Sequence, residues 1–219
     1  MSDTDSFIEE VTEEVRRDRL FLMLKRYGWI GVVAILVIVG GASYREYTKS
    51  QEQAQAQALG DALIGALAAN DAAGRADALG NVATEQAGSA AIAGLLAAGA
   101  LAEAGDTEKA VAKLKEVALL GEVPQIYRNI ATFKALLLQS DTLSVAERRL
   151  QFESLATPGA PLRLLSEEQL ALLDISEGQS EAAIDRLQAI IVDSEASSDL
   201  KQRASQVIVA LGGTPAAAS

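Results

Sequence analysis

The sequence has neither cysteine nor histidine among its 219 residues. That excludes His-dependent triads, thiol nucleophiles and zinc sites built from the usual ligands. The missing thiols also suit an oxidising compartment. No Gly-x-x-x-x-Gly-Lys-Ser/Thr loop and no Gly-x-Gly-x-x-Gly stretch occurs, so the common phosphate-cradling motifs are absent. Aromatic residues are few. After residue 50 only Tyr127, Phe133 and Phe152 remain, and Phe133 and Phe152 are expected in the core. Interface chemistry based on Trp and Tyr anchors is therefore scarce, which favours a broad, weak binding surface. Positive charge is also short. Residues 50–219 hold 22 acids against 12 basic side chains, a net of −10. Such a surface repels phosphate backbones, so no nucleic-acid partner is expected. These absences leave enzymes built on carboxylates, Lys or Ser, and nothing points to one. No catalytic, cofactor-binding or metal residue is nominated, and no cofactor or small-molecule substrate is expected.

What is present begins with an uncharged run. Residues 27–44 are rich in Val and Ile and carry no charged side chain. A helix needs about 20 such residues to cross a bilayer, with a range of about 17–25. Lys25 and Arg26 on one side and Arg45 on the other can snorkel. Tyr27, Trp29, Tyr44 and Tyr47 stand where an interfacial aromatic belt would lie. The preceding segment carries seven acids, unlike the short basic start of a signal peptide. A retained transmembrane anchor over residues 27–47 is therefore expected, and no Gly-x-x-x-Gly pair within it signals dimerisation. Five basic residues precede the run (Arg16, Arg17, Arg19, Lys25, Arg26) and two follow closely (Arg45, Lys49). That bias places residues 1–26 in the cytoplasm and the remainder outside, which in a bacterium means an inner-membrane protein with a periplasmic domain.

Residues 1–26 read as an amphipathic helix capped by Asp5 or Ser6. Glu9, Glu10, Glu13 and Glu14 lie early, where the helix dipole favours acids. Phe7, Ile8, Val11, Val15 and Leu22 form one apolar face. The segment is either a solvated extension of the span or a docking helix. Beyond the span, residues 48–70 continue as a Gln/Ala-rich helix with a seam of Ala58, Leu59, Ala62, Leu63, Ala66 and Leu67.

The domain over residues 48–213 reads as repeated helical hairpins. In the stretch 95–114, Gly105 ends one helix in the left-handed conformation and Asp106 caps the next. The stretch 170–187 repeats the layout with its turn at Gly178. Between them, 126–138 and 145–155 form another hairpin around residues 139–142. Aligning the three puts Ala110, Ala146 and Ala183 at the helix crossings and Leu114, Leu150 and Leu187 one turn later. An earlier hairpin, 54–69 with 73–83, fits the scheme weakly. Ser144-Val-Ala-Glu147 and Ser166-Glu-Glu-Gln169 have the capping-box pattern. Pro124 suits a helix start. Pro158-Gly-Ala-Pro161 enforces a break. Asp199 is placed to cap a final helix over 200–211 that covers the end of the stack, and residues 214–219 are expected as a disordered tail.

The repeat step is close to the 34 residues of a tetratricopeptide repeat (TPR), and Gly105-Asp106…Ala110 and Gly178…Ala183 resemble that family. The family's large aromatic positions are filled here by Gly94 and Leu101 in one repeat and by Glu167 and Asp174 in another. The fold class read from these features is all-α: one N-terminal transmembrane helix, then a TPR-like helical-hairpin solenoid with a C-terminal capping helix. Asp174, Glu177, Glu181 and Asp185 recur at helical steps but are read as a solvated face. The acidic stretch 193–199 lacks an EF-hand glycine.

Residues 7–29 running directly into the span, with the hairpin at Gly105-Asp106, resemble the YfgM-like family of ancillary subunits of the SecYEG translocon. The resemblance implies a non-enzymatic, chaperone-like periplasmic scaffold. Its implied partners are the translocon, a membrane-anchored periplasmic chaperone and emerging polypeptides. A structural adaptor for envelope assembly or cell division is the alternative reading, and a carboxylate-based enzyme is a remote one.

Overall fold

The computed structural model describes the backbone of residues 3–84 and 86–216, and their side chains apart from those of 3–24, 27, 28 and 32. Among the described residues every regular element is a helix. The chain forms two units, Met1–Ala58 and Leu59–Ser219. The first consists of most of helix α1 (Asp3–Leu67), which continues unbroken through the apolar run. The proposed caps and apolar face between residues 5 and 22 lie outside the described side chains.

Among the described residues, the second unit holds the end of α1 and eight further helices: α2 (Ala72–Gly80), α3 (Ala87–Glu103), α4 (Thr107–Ala118), α5 (Gln125–Leu138), α6 (Val145–Leu155), α7 (Arg163–Ser176), α8 (Ser180–Val192) and α9 (Ser198–Ala210). From α2 onward consecutive helices pack on one another, except that α5 and α6 touch only lightly. The core follows this order. Ala66 at the end of α1 packs with Ala76, Leu79, Ala97 and Ala100. Leu114 and Val117 join α3 and α4 to Ala131 and Ala135 of α5. Leu187, Ile190, Leu200 and Ile208 hold α8 and α9 together, with α9 as the capping helix.

Three helix ends share one device. Gly105, Gly178 and Gly212 have φ of 83°, 77° and 81°. In each, the glycine N–H and the N–H after it turn back onto carbonyls of the last turn: Gly105 to Ala102 and Asp106 to Leu101, Gly178 to Ile175 and Gln179 to Asp174, Gly212 to Val209 and Gly213 to Ile208. This is the Schellman pattern, which satisfies otherwise orphaned carbonyls and reverses the chain within two residues. The two Gly-centred hairpin turns are thus as expected, and Asp106 caps α4 by accepting from the Lys109 N–H. Ser144 and Glu147 form the expected capping box.

Other expectations fail for identifiable reasons. Ser166 does not cap a helix, because α7 already begins at Arg163. The early start carries Leu164 and Leu165 onto the α8–α9 core and buries Ser166 completely. Ser197, not Asp199, caps α9 by accepting from the Leu200 N–H. Of the seam on α1, only Ala66 is buried, with Leu59 and Leu63 half-buried, while Ala58, Ala62 and Leu67 are exposed. The equivalence drawn for the middle hairpin is wrong in α6. Ala146 is exposed and Leu150 is 69% exposed, whereas Phe152 and Leu155 are buried. Residues 150 and 152 lie about 200° apart on a helix, so only one can face inward. The phenyl ring has the larger apolar area and takes the place. Within the stretch expected as a disordered tail, Gln188 is hydrogen-bonded to the backbone of both Thr214 and Ala216, and residues 217–219 lie outside the described residues.

Gly94 in the middle of α3 has a packing reason. A Cβ there would stand 2.6 Å from Val117 Cγ2, so α3 and α4 approach too closely for any side chain. Gly94→Ala is expected to lose about 1 kcal/mol net. Overpacking costs roughly 1–3 kcal/mol, against about 1 kcal/mol gained in helix propensity. Urea unfolding of Gly94→Ala, alone and with Val117→Ala, checks this. The double variant should lose less than the sum of the two single losses, because the smaller residue removes the clash.

Candidate functional site

Two features stand out from the packed stack. The first is the apolar run of α1. Trp29, Ile30, Val33 and every described residue from Ile35 to Val39 are large apolar side chains standing exposed, Leu36 at 65% and Ile38 at 69%. Within the helix from Trp29 to Leu67, the most apolar 18-residue window is 0% buried. A core helix would be covered, and this one is not. By length and composition it is able to cross a membrane.

The second is a charged cluster centred on α7. Asp174 is only 2% exposed. Its Oδ1 lies 2.8 Å from an Arg149 terminal nitrogen and its Oδ2 lies 3.1 Å from Arg186 Nε. Arg149 also reaches Glu177 at 2.6 Å, and Arg186 also pairs with Glu167. Five side chains therefore form one chain of ion pairs, Glu177–Arg149–Asp174–Arg186–Glu167, which ties α6 and α8 to α7. Burial opposes the charge on both arginines. In each case the hydrogen bonds to two carboxylates outweigh that and raise the guanidinium pKa above its ordinary value. Three more pairs radiate from the same helix. Arg163 holds Asp193 and Glu195 at 2.7 and 2.8 Å. Arg203 of α9 grips Glu168 in bidentate fashion.

Reading the acids from Asp174 to Asp185 as a solvated face is therefore wrong for Asp174, which is buried. Glu177, Glu181 and Asp185 are exposed, Glu177 while paired with Arg149. The acidic stretch after α8 is likewise engaged: the Arg163 guanidinium, helped by the Glu195 N–H, holds the Asp193 carboxyl below the usual range. Both oxygens of Asp174 are occupied by guanidinium groups from two other helices. The arrangement binds helices together. The positions where the TPR pattern carries large aromatics are thus filled in two ways: by the close approach at Gly94 and Leu101 packed on the α1–α3 cluster, and by the ion pairs of Glu167 and Asp174.

Beside the cluster lies an open groove of about 410 Å³ lined by Arg163, Leu164, Glu167, Arg186 and Ile190 among others. A smaller one of about 200 Å³ lies where α2, α3 and α4 meet, next to Gly94 and Val117. Both are mixed polar and apolar, as expected of contact surface between helices.

Helical hairpins joined by Gly-centred turns and stacked in chain order, with ion pairs running from helix to helix, define a repeat-built module of the kind that binds other proteins. The chain belongs to the tetratricopeptide repeat-like domain family, whose model matches residues 24–138, from within α1 to the last residue of α5. Domains of this kind are typically interaction modules without catalytic activity. No curated protein and no solved structure matches the chain.

Proposed function

We propose that this protein is a membrane-anchored scaffold that holds its TPR-like domain on the outer face of a bacterial inner membrane. The observation that carries the reading is the bare apolar run of described side chains from Trp29 to Val39, on a chain whose domain spends most of its arginines on its own stack. The segment 27–47 is the span, 1–26 the cytoplasmic part and 48–213 the periplasmic domain. Orientation rests on the excess of basic residues before the span. By its resemblance to the YfgM-like family, the domain meets emerging polypeptides beside the SecYEG translocon, together with a membrane-anchored periplasmic chaperone. A tether raises the local concentration of such partners, so weak, broad contacts suffice. The scarcity of exposed aromatic anchors fits that mode.

The absence of cysteine makes the test clean. Single-cysteine variants at Ser6 and Ser198 have no background thiol to subtract. Ser198→Cys should react with a membrane-impermeant maleimide in spheroplasts, and Ser6→Cys only after permeabilisation. The reverse pattern, or reaction of both, would sink the topology. Photo-crosslinking from Trp29 and from Leu150 in intact membranes should then recover translocon subunits. Recovery of division-site proteins alone would move the assignment to the adaptor reading.

A further inference from the structure

Past the end of α9 the described chain stays against the domain as far as Ala216. Gly213 is pressed into the crevice between α8 and α9. A Cβ there would lie 2.9 Å from Ile208 Cγ2 and 3.2 Å from Ile184 Cδ1. The next residues run without helix or turn along α8 to Gln188. There the side-chain amide donates through Nε2 to the Thr214 carbonyl at 2.8 Å and accepts through Oε1 from the Ala216 N–H at 2.8 Å. Ala216 packs against the α7–α9 core. Ile184 and Gln188 are four residues apart and so share one face of α8.

The chemistry of this contact is that of backbone recognition. In an extended chain, the carbonyl of one residue and the N–H of the residue two further on face the same side. A glutamine amide offers one donor and one acceptor, as a peptide group does, and here both are used on that pair of backbone groups. Pro215 lies between them, has no N–H to leave unsatisfied and fixes its own φ. Selection is by size: only glycine fits at 213, and a methyl is what meets the core at 216.

We propose that the α8 face bearing Ile184 and Gln188 is a binding site for extended polypeptide segments with small side chains, and that residues 213–216 occupy it as an internal place-holder. An incoming segment of Gly-x-x-small pattern competes with them for the Gln188 amide. The claim that such segments arrive rests on the scaffold reading above; the self-occupied site does not. Because the place-holder is joined directly to α9, its effective concentration is at least millimolar. A free peptide therefore has to be offered at that level.

The test uses the full chain in detergent micelles, a version ending at Gly212, and Gln188→Leu and Gln188→Glu in both, each checked for unchanged circular dichroism and melting. The probe is a fluorine-labelled peptide of sequence Gly-Gly-Thr-Pro-Ala-Ala, titrated to several millimolar by NMR. Saturable binding to the shortened chain is expected, at least about tenfold weaker on the full chain and abolished by either Gln188 variant. In the full chain, the Ala216 amide should be protected from hydrogen exchange, and Gln188→Leu should cut that protection about tenfold. Equal peptide binding to full and shortened chains, binding indifferent to Gln188, or no binding to a folded shortened chain would each overturn the proposal. If an unfolded client crosslinks to the domain while any of those results holds, the scaffold reading stands and this site falls. If the peptide binds as expected but no client is captured, the site stands and the scaffold reading falls.

Discussion

Phe152→Ala should cost the domain about 3–5 kcal/mol, the range for deleting a fully buried aromatic ring. The ring is 0% exposed and sits edge-on to Phe133 of α5, with centroids 5.6 Å apart and planes at 70°. Such a pair adds about 0.5–1.5 kcal/mol beyond the area it buries. Around it stand Leu136 of α5, Leu155 of α6, and Leu170 and Leu173 of α7. Because α5 and α6 otherwise touch only lightly, this cluster is the main link between the helices up to α5 and those from α6 onward. In a linear stack each unit is stabilised by its neighbours, so weakening this link should also uncouple the two halves. Urea unfolding followed by circular dichroism should change from one transition in the parent to two in Phe152→Ala. Leu150→Ala, two residues away on the exposed side, should stay within about 0.5 kcal/mol of the parent. A larger loss for Leu150→Ala than for Phe152→Ala would restore the register drawn from repeat spacing.

That pair of residues shows where the sequence stops being legible. Local chemistry could be read directly. The turns at Gly105 and Gly178 and the caps at Asp106 and Ser144 depend on neighbours within five residues, and the structure has each of them. The register of α6 depends on which face a distant helix covers. The spacing of Ala146 and Leu150 matched the other hairpins, but their surroundings did not. Asp174 was misread for the same reason. Carboxylates at helical steps look like a solvated face, and nothing local says that Arg149 and Arg186 will converge on one of them from two other helices. The same holds for Arg128, whose guanidinium reaches back to the carbonyls of Leu120, Gly121 and Val123 and pins the α4–α5 connection. The apolar run of α1 was legible because its partner is solvent or lipid, and no fold is needed to see it. Gln188 left no signal at all, since a half-buried glutamine on a helix becomes informative only when the backbone it grips is in view.

Asp174→Ala should lose about 2–3 kcal/mol, somewhat below the roughly 3–5 kcal/mol typical when one member of a buried ion pair is removed. The discount has a structural cause. Without Asp174, Arg149 keeps Glu177 and Arg186 keeps Glu167, so neither guanidinium is left wholly unpaired. What is lost is the joint between two otherwise separate pairs, at the point where α6, α7 and α8 meet. The effect should persist in high salt, because the carboxylate is buried and poorly screened. Arg203→Ala, which removes a guanidinium that is 49% exposed, should cost under about 1 kcal/mol and less still at 1 M salt. Comparing urea midpoints of the two variants at low and high salt separates these cases. A further variant, Arg149→Met with Asp174→Leu and Arg186→Met, asks whether charge is needed at this position at all. Replacing a buried ionic cluster by packed apolar groups of similar size is often neutral or stabilising, so this triple variant should recover most of the loss. Full recovery would mean that the cluster stands in for the aromatic packing of other repeats as a filler of the same space. A triple variant no more stable than Asp174→Ala would mean that Glu167 and Glu177 need their arginines, and that the five-residue chain of ion pairs stabilises the stack as a unit.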